Sequence, residues 1–257
     1  MYSIEEQYRT DKRLRARIDL HARFSVNPHG WYHWVFDHFD LPEPCRILEI
    51  ACGTGRLWSE NEYRIHPSWQ LVLTDRSEAL LRGARENVAE CGGGFQFVLA
   101  DLQAVPLEDA SLDAVIANHV LYYAPDKPRT FAEIRRVLKP GGRVYATTVG
   151  CNHMKELREL ARSFDPRLQL GNDAESFTLE NGLSQMAAAF SSVTLSRYDD
   201  ALEVCEPEPL VSYVLSVAGA DYDRRAEFLR FVERHLASLG GKMHITKDSG
   251  MLLAYRP

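Results

Sequence analysis

Between residues 45 and 150 the chain switches repeatedly between short apolar runs and longer amphipathic stretches, and that rhythm constrains the fold more than any other feature. The apolar runs fall at 46–51, 70–74, 95–100, 113–118 and 142–148. Short, largely apolar runs of this length suit buried strands, and the stretches between them suit crossover helices. The pattern predicts successive βαβ units and a parallel sheet. Ser77 is placed to cap a helix reaching Asn87, because its hydroxyl can accept a free first-turn N–H. Residues 129–138 read as a further helix, stopped by Lys139-Pro140-Gly141-Gly142.

The flanks read differently. A polar, Arg-rich segment at 8–17 precedes an aromatic one in which Trp31, Trp34, Val35 and His38 recur at three- and four-residue steps, and both are expected to be helical. Beyond residue 150 the pattern predicts helices at 153–164, 183–190, 210–218 and 224–239. Strands are expected at 192–204 and 242–254, the last bent into a hairpin at Asp248-Ser249-Gly250.

Composition excludes several classes. With 257 residues and 45% hydrophobic content, the chain has ample material for a large core. A net charge of -6, with Arg interspersed among Glu and Asp, opposes broad contact with nucleic-acid phosphates, so no nucleic-acid partner is expected. Five scattered cysteines without a C-x-x-C pair suggest neither a disulfide framework nor a zinc site. The scattered histidines form no ligand motif, and no metal is expected. The first residues lack a basic stretch followed by an apolar run, and no apolar stretch is long enough to span a bilayer. These features predict a cytoplasmic protein with no membrane association, a monomer or homodimer.

The chemistry-bearing residues cluster at the predicted strand ends. An apolar strand carrying Glu49 runs into Ala51-Cys52-Gly53-Thr54-Gly55. Glycines at such a turn let the backbone approach a ligand closely, and the helix start beyond offers unpaired N–H groups. The next strand ends at Asp75, 26 residues after Glu49, a spacing close to that expected of an acid on a ribose diol. Asp101 follows the third strand, again 26 residues on. Ligands in open α/β sheets sit beyond the carboxyl ends of the strands, so all three acids are expected at one crevice.

Taken with Leu138-Lys139-Pro140-Gly141-Gly142-Arg143, the strings 47–55, Thr74-Asp75 and Ala100-Asp101-Leu102 resemble, in order and spacing, those of class I S-adenosylmethionine-dependent methyltransferases. The resemblance covers roughly residues 45–150 and departs at Ala51, where the family usually has glycine. It implies an α/β fold: a three-layer αβα sandwich around a seven-stranded, mostly parallel sheet with an antiparallel last strand. It further implies S-adenosylmethionine as cofactor and S-adenosylhomocysteine as product. Glu49, Ala51, Gly53 and Gly55 would line the methionine half, Asp75 and Arg76 the ribose, Asp101 and Leu102 the adenine, and Asn118 and His119 the methionine end. Segments outside the core resemble a bacterial small-molecule branch. On that reading one methyltransferase domain spans 1–257, with an N-terminal helical lid at 1–42, a cofactor-binding core at 43–150, a substrate insert at 151–191 and sheet-completing elements at 192–257. Arg23, Phe24, Trp31 or Tyr32 would contribute to the lid.

His119, Tyr122 and His153 are the candidate catalytic residues, the histidines as bases with near-neutral pKa and Tyr122 as an aromatic neighbour of the sulfonium. Trp31, Tyr32, Tyr122, Tyr123 and His153 are the candidate substrate contacts. For each, ordinary packing or surface roles compete with the functional one. A nicotinamide dehydrogenase is disfavoured because Trp58 stands where a third glycine should allow close helix packing. The aromatic rim favours a planar or apolar small-molecule acceptor. A non-catalytic cofactor-binding protein and an RNA or protein methyltransferase are the alternatives.

Overall fold

The computed structural model describes residues 11–168, 170, 173–218 and 223–257. Two compact units are present: residues 1–28, 152–172 and 199–248 form the first, and 29–151, 173–198 and 249–257 the second.

The second unit holds the parallel core. Its strands are β1 (Cys45–Ile50), β2 (Trp69–Asp75), β3 (Gly94–Leu99), β4 (Leu112–Asn118) and β5 (Leu138–Val149). β1 pairs in parallel with β2 and β4, β2 with β3, and β4 with β5. Two later strands, β6 (Ser191–Val204) and β7 (Met243–Tyr255), contribute residues to both units. The full order is β3-β2-β1-β4-β5-β7-β6, with β7 antiparallel to β5. Chain direction reverses its progress across the sheet between β1 and β4, which is where open α/β sheets place their ligands.

Alternation along each strand explains why the runs looked uniformly apolar. Ile47, Leu71, Leu73, Ala114 and Ile116 face one core with α2 (Trp31–Asp37), α3 (Arg56–Ser59) and α4 (Glu78–Asn87). Leu48, Val72, Val115 and Ala117 face the other with α5 (Lys127–Val137) and α7 (Leu179–Ala187). The three-layer sandwich follows from strands with two apolar faces.

The first unit packs α1 (Asp11–Phe24), α6 (Lys155–Phe164), α8 (Pro207–Ala218) and α9 (Arg225–Ser238) around their own core of Leu20, Leu157, Leu210, Val214, Phe228 and Val232. The expected first helix begins within the described residues at Asp11; residues 8–10 lie outside them.

Several boundaries shift for identifiable reasons. Ser77 caps α4 as expected, accepting from the Leu80 N–H at 3.4 Å. α7 starts four residues earlier than predicted, because Thr178 and Asn181 form a reciprocal capping box. α6 starts at Lys155, and His153 lies in the turn before it. The hairpin expected at Asp248-Ser249-Gly250 is absent: β7 runs straight through, pairing Ser249 with Val149 and Gly250 with Thr148. Gly250 serves packing, since a Cβ there would lie 2.5 Å from the Ser196 carbonyl oxygen. β5 begins at Leu138, before the glycine pair, with a register irregularity between the Leu112 and Ala114 pairings. Arg256 secures that irregular start, its N–H donating to Gly142 O and its carbonyl accepting from Gly141 N.

Among the described residues no helix is long and apolar enough to cross a membrane, and no three His, Cys, Asp or Glu side chains are grouped to hold a metal ion.

Candidate active site

Glu49 is the penultimate residue of β1, in register with Leu73 on β2 and Ile116 on β4, so it stands where the strand order reverses. Its side chain is 2% exposed. One carboxylate oxygen accepts from Trp58 Nε1 at 2.7 Å and the other from Asn118 Nδ2 at 3.1 Å. Burial pushes its pKa up to about 7 against those two hydrogen bonds, which favour the charged form, and the nearby Asp75 charge raises it further.

The turn that follows is built from left-handed backbone. Ala51, Gly53 and Gly55 have φ of 53°, 57° and 71°. For Ala51 this conformation costs about 1–2 kcal/mol that a glycine would not incur. The two glycines serve different ends. A Cβ at Gly55 would press on Ala84 Cβ and Val88 Cγ1 of the α4 segment, each at 3.3 Å, whereas one at Gly53 meets nothing within 4 Å. Gly53 therefore presents bare backbone on an open side of the turn.

Asp75 closes β2 and is 6% exposed. It accepts from Gly53 N at 3.1 Å through Oδ2 and from Ser77 N at 2.9 Å through Oδ1. Each oxygen retains a lone pair, so the carboxylate clamps the glycine turn and can still accept from a diol. Burial raises its pKa, and the backbone donors of Ser77 and Gly53 oppose the rise. Arg76 beside it is exposed. Asp101 follows β3, whose end pairs with Asp75, and its exposed carboxylate accepts from Gln103 N at 2.7 Å; Leu102 beside it is half-buried. The three acids thus stand at the carboxyl ends of three adjacent strands.

At the end of β4, Asn118 accepts from Thr147 Oγ1 through Oδ1 while donating to Glu49. His119 takes a left-handed turn, φ 48°, and its N–H donates to Thr147 O and Oγ1 at 3.2 and 3.0 Å. That turn sets its ring against Trp31 at 5.0 Å between centroids. Trp31 in turn stacks on Trp34 at 5.3 Å and meets Tyr198 edge-on at 5.2 Å. Tyr198 donates its hydroxyl to His29 O at 2.8 Å. Trp31 is thus both part of the helix packing and the wall of His119.

Tyr122 and Tyr123 occupy a 3-10 turn just beyond, half-buried, with rings edge-to-face at 4.5 Å. Ser176 Oγ donates to Tyr122 O at 2.8 Å and accepts from Lys127 Nζ at 3.0 Å, which ties the turn down. Tyr32 lies under the Arg56 guanidinium at 5.3 Å, with its carbonyl bonded to Asn61. His153 belongs to the first unit, where its ring stacks on His21 at 6.3 Å and its carbonyl accepts from Arg158. Arg23 and Phe24 also lie in that unit, with Arg23 ion-paired to Glu206 at 2.5 Å.

Trp58, Thr147 and Tyr198 were not among the expected site residues. Thr147 carried a readable signal, a hydroxyl at the carboxyl end of a buried strand. Trp58 was read only as an obstacle to a dehydrogenase; it is fully buried and donates to Glu49.

Residues 48–146 match the family described as a methyltransferase domain. Over 163 residues the chain is 31% identical to a malonyl-[acyl-carrier protein] O-methyltransferase of Erwinia pyrifoliae, covering 63% of this chain and 59% of that protein. It is 36% identical over 116 residues to a ubiquinone/menaquinone biosynthesis C-methyltransferase of Pseudomonas fluorescens, covering 44% and 45%. The chain thus spans only about half to three-fifths of the length of these relatives. Among solved structures, Haemonchus contortus phosphoethanolamine N-methyltransferase 2 superposes with a TM-score of 0.62 at 18% identity, covering 100% of this chain and 61% of that one. A methyltransferase from Aquifex aeolicus gives 0.56 at 12% identity, covering 95% and 98%. These two share the fold. With the strand order and the motif residues at its reversal, the comparisons show that the chain carries a methyltransferase-domain match over residues 48–146 and is similar there to S-adenosylmethionine-dependent methyltransferases.

Proposed function

We propose that the protein transfers the methyl group of S-adenosylmethionine to an oxygen, nitrogen or carbon atom of a small aromatic or heterocyclic acceptor, as a cytoplasmic enzyme acting alone or as a homodimer. The observation that carries this reading is the buried Glu49 carboxylate, held by Trp58 and Asn118 on the strand that leads into the open Gly53 turn, which Asp75 clamps. A buried carboxylate is costly unless a positive charge comes to it, and the methionine half of the cofactor carries both an ammonium and a sulfonium. The donor set fits. Asp75 would accept from the ribose, Asp101 and the Leu102 N–H would take the adenine edge, and Ala51, Gly53 and Gly55 would admit the methionine chain. Arg76 and the Asn118–His119 backbone complete the set.

The bound cofactor supplies a methyl group already activated as a sulfonium. The chain's residues then need to hold the acceptor in line and exclude water, which accounts for most of the acceleration. Trp31, Tyr32, Tyr122 and Tyr123, all of the second unit, are the residues we assign to acceptor contact. His119, fixed through Thr147 and walled by Trp31, takes a proton from acceptors that carry one at neutral pH, with Tyr122 of the same unit as a further candidate for the chemistry. We read 1–257 as one methyltransferase domain, in which 1–42 and 151–191 choose the acceptor. The names of the two relatives specify O-directed transfer to malonyl-[acyl-carrier protein] and C-directed transfer in ubiquinone/menaquinone biosynthesis, which supports methyl transfer to a metabolite or carrier-bound group.

The test is transfer of a trideuteromethyl group from labelled cofactor into a cell extract, read by mass spectrometry. Label should enter the small-molecule fraction and vanish with Asp75→Ala. Label confined to RNA or protein would make the protein a macromolecular methyltransferase. Cofactor binding without transfer would make it a binding protein.

A further inference from the structure

The segment that follows β3 is tied to α5 at two places, through side chains that the methyl-transfer reading does not use. Asp101 opens a tight turn: its Oδ1 accepts from Gln103 N at 2.7 Å and its carbonyl from Ala104 N at 3.0 Å. The Gln103 side chain then reaches the start of α5, where Nε2 donates to the Asp126 carbonyl at 2.8 Å and to Thr130 Oγ1 at 3.3 Å. Both acceptors are themselves fixed. Asp126 caps α5 by accepting from Arg129 N, and the fully buried Thr130 donates its hydroxyl to the Asp126 carbonyl at 2.8 Å.

A second clamp lies further along the same helix. Glu133 Oε1 accepts from Val105 N at 2.7 Å, while Arg136 donates to Val105 O at 3.0 Å and to Leu107 O at 2.8 Å. Arg136 also pairs with Glu133 at 2.8 Å and holds its carboxyl below the usual carboxylate range, so the clamp stays charged at neutral pH. Thr130, Glu133 and Arg136 recur at three-residue steps, which puts both attachments on one side of α5.

The turn so held carries the pair assigned to adenine. Asp101 Oδ2 and the Leu102 N–H have no partner among the described residues. An acceptor and a donor on neighbouring residues discriminate between planar bases only while their spacing and direction are fixed, because hydrogen bonds weaken steeply on misalignment. Adenine presents its N6 amino group and N1 in the complementary order. Hypoxanthine presents an acceptor at position 6 and a donor at N1, so it opposes both groups. Resting on the assignment of Asp101 and Leu102 to the adenine edge, we propose that Gln103 is a positioning residue that sets the selectivity of the site for adenine. It does so by locking the Asp101–Leu102 turn to the start of α5, with Glu133 and Arg136 securing the same segment behind it.

The test is calorimetric titration of the full chain with S-adenosylhomocysteine and with S-inosylhomocysteine, which carries hypoxanthine in place of adenine. The parent should prefer the adenine ligand by about 10- to 100-fold. Gln103→Met keeps the length of the side chain and removes its donor; it should lower that preference by about fivefold or more, through weaker binding of the adenine ligand. Gln103→Lys returns a donor to the same two oxygens and should bring the preference back to within about twofold of the parent's. Thr130→Ala removes one of those oxygens, should lower the preference to a smaller extent, and supplies the comparison if the methionine variant does not fold. A merely structural role for Gln103 would weaken both ligands equally. That result would overturn the proposal, as would an unchanged preference in the methionine variant or a lysine variant that recovers nothing. A parent that binds both ligands equally would refute the Asp101–Leu102 assignment, and one that binds neither would refute the cofactor reading; the proposal falls with either.

Discussion

Replacing Glu49 with glutamine should stabilise the free protein above neutral pH and weaken its hold on the cofactor. Burial lifts the Glu49 pKa from 4.5 to about 7, so the folded state holds this proton more tightly than the unfolded chain does. The associated stability is fully present below the unfolded value and is lost as pH rises toward 7. It amounts to about 3 kcal/mol, from 1.36 kcal/mol per unit. Glutamine has no such proton to lose. Its amide also fits the network: it can accept from Trp58 and donate to a flipped Asn118, whose amide N–H then reaches Thr147 Oγ1, now donor to Asn118 Oδ1. The stability difference between variant and parent should therefore grow by about 3 kcal/mol in the variant's favour between about pH 5 and about pH 8, measured by urea unfolding at each pH. Calorimetry should show cofactor affinity falling by about 10- to 100-fold, because the ammonium and sulfonium lose their buried counter-charge. Stability gained with affinity lost is the signature of a group kept for binding. Parallel pH profiles for the two proteins, or unchanged cofactor affinity, would refute the reasoning.

Other outcomes follow from the same geometry. Gly55→Ala forces a left-handed alanine against Ala84 and Val88 and should destabilise the fold by about 1–3 kcal/mol in denaturant unfolding; an unchanged midpoint would contradict the tight contact. Ala51→Gly relieves a left-handed alanine at the same turn and should be neutral to stabilising by about 1 kcal/mol once the freer unfolded chain is counted, so a clear loss of stability would remove the strain argument. His119→Ala should lower kcat by about 10²–10⁴-fold on an acceptor that is protonated at neutral pH while leaving cofactor affinity intact; a loss of less than about tenfold would leave positioning alone to carry the chemistry.

Much of this molecule is legible in its sequence because the central strands are buried on both faces. That leaves short, largely apolar runs in the central strands, and the five runs, including that of the more exposed edge strand β3, coincide with β1 to β5 to within a residue or so, except at the irregular start of β5. The acids at the strand ends are readable for the same reason: a charge that terminates an apolar run marks the sheet's edge. What was hidden depends on partners distant in the chain. Gly250 looks like a turn residue until the Ser196 carbonyl is seen packed against it. Thr178 and Asn181 cap α7 with a pair weaker in pattern than the usual Ser/Thr with Glu/Gln. In the candidate site, Glu49 and Asp75 were readable, but Trp58 and Thr147 acquire roles only through bonds spanning 9 and 29 residues. His119 likewise meets Trp31 only because its own backbone turns left-handed after β4.

The central claim is that Asp75 and the Gly53 turn hold the ribose and methionine of S-adenosylmethionine, and calorimetric titration of the full chain with cofactor and with S-adenosylhomocysteine tests it most directly. Saturable binding of both is predicted, weakened by about 1–3 kcal/mol in Asp75→Ala, which leaves the ribose without its charged acceptor and the Gly53 N–H without its clamp. No binding by the parent protein, or equal affinity in the Asp75→Ala variant, would contradict it.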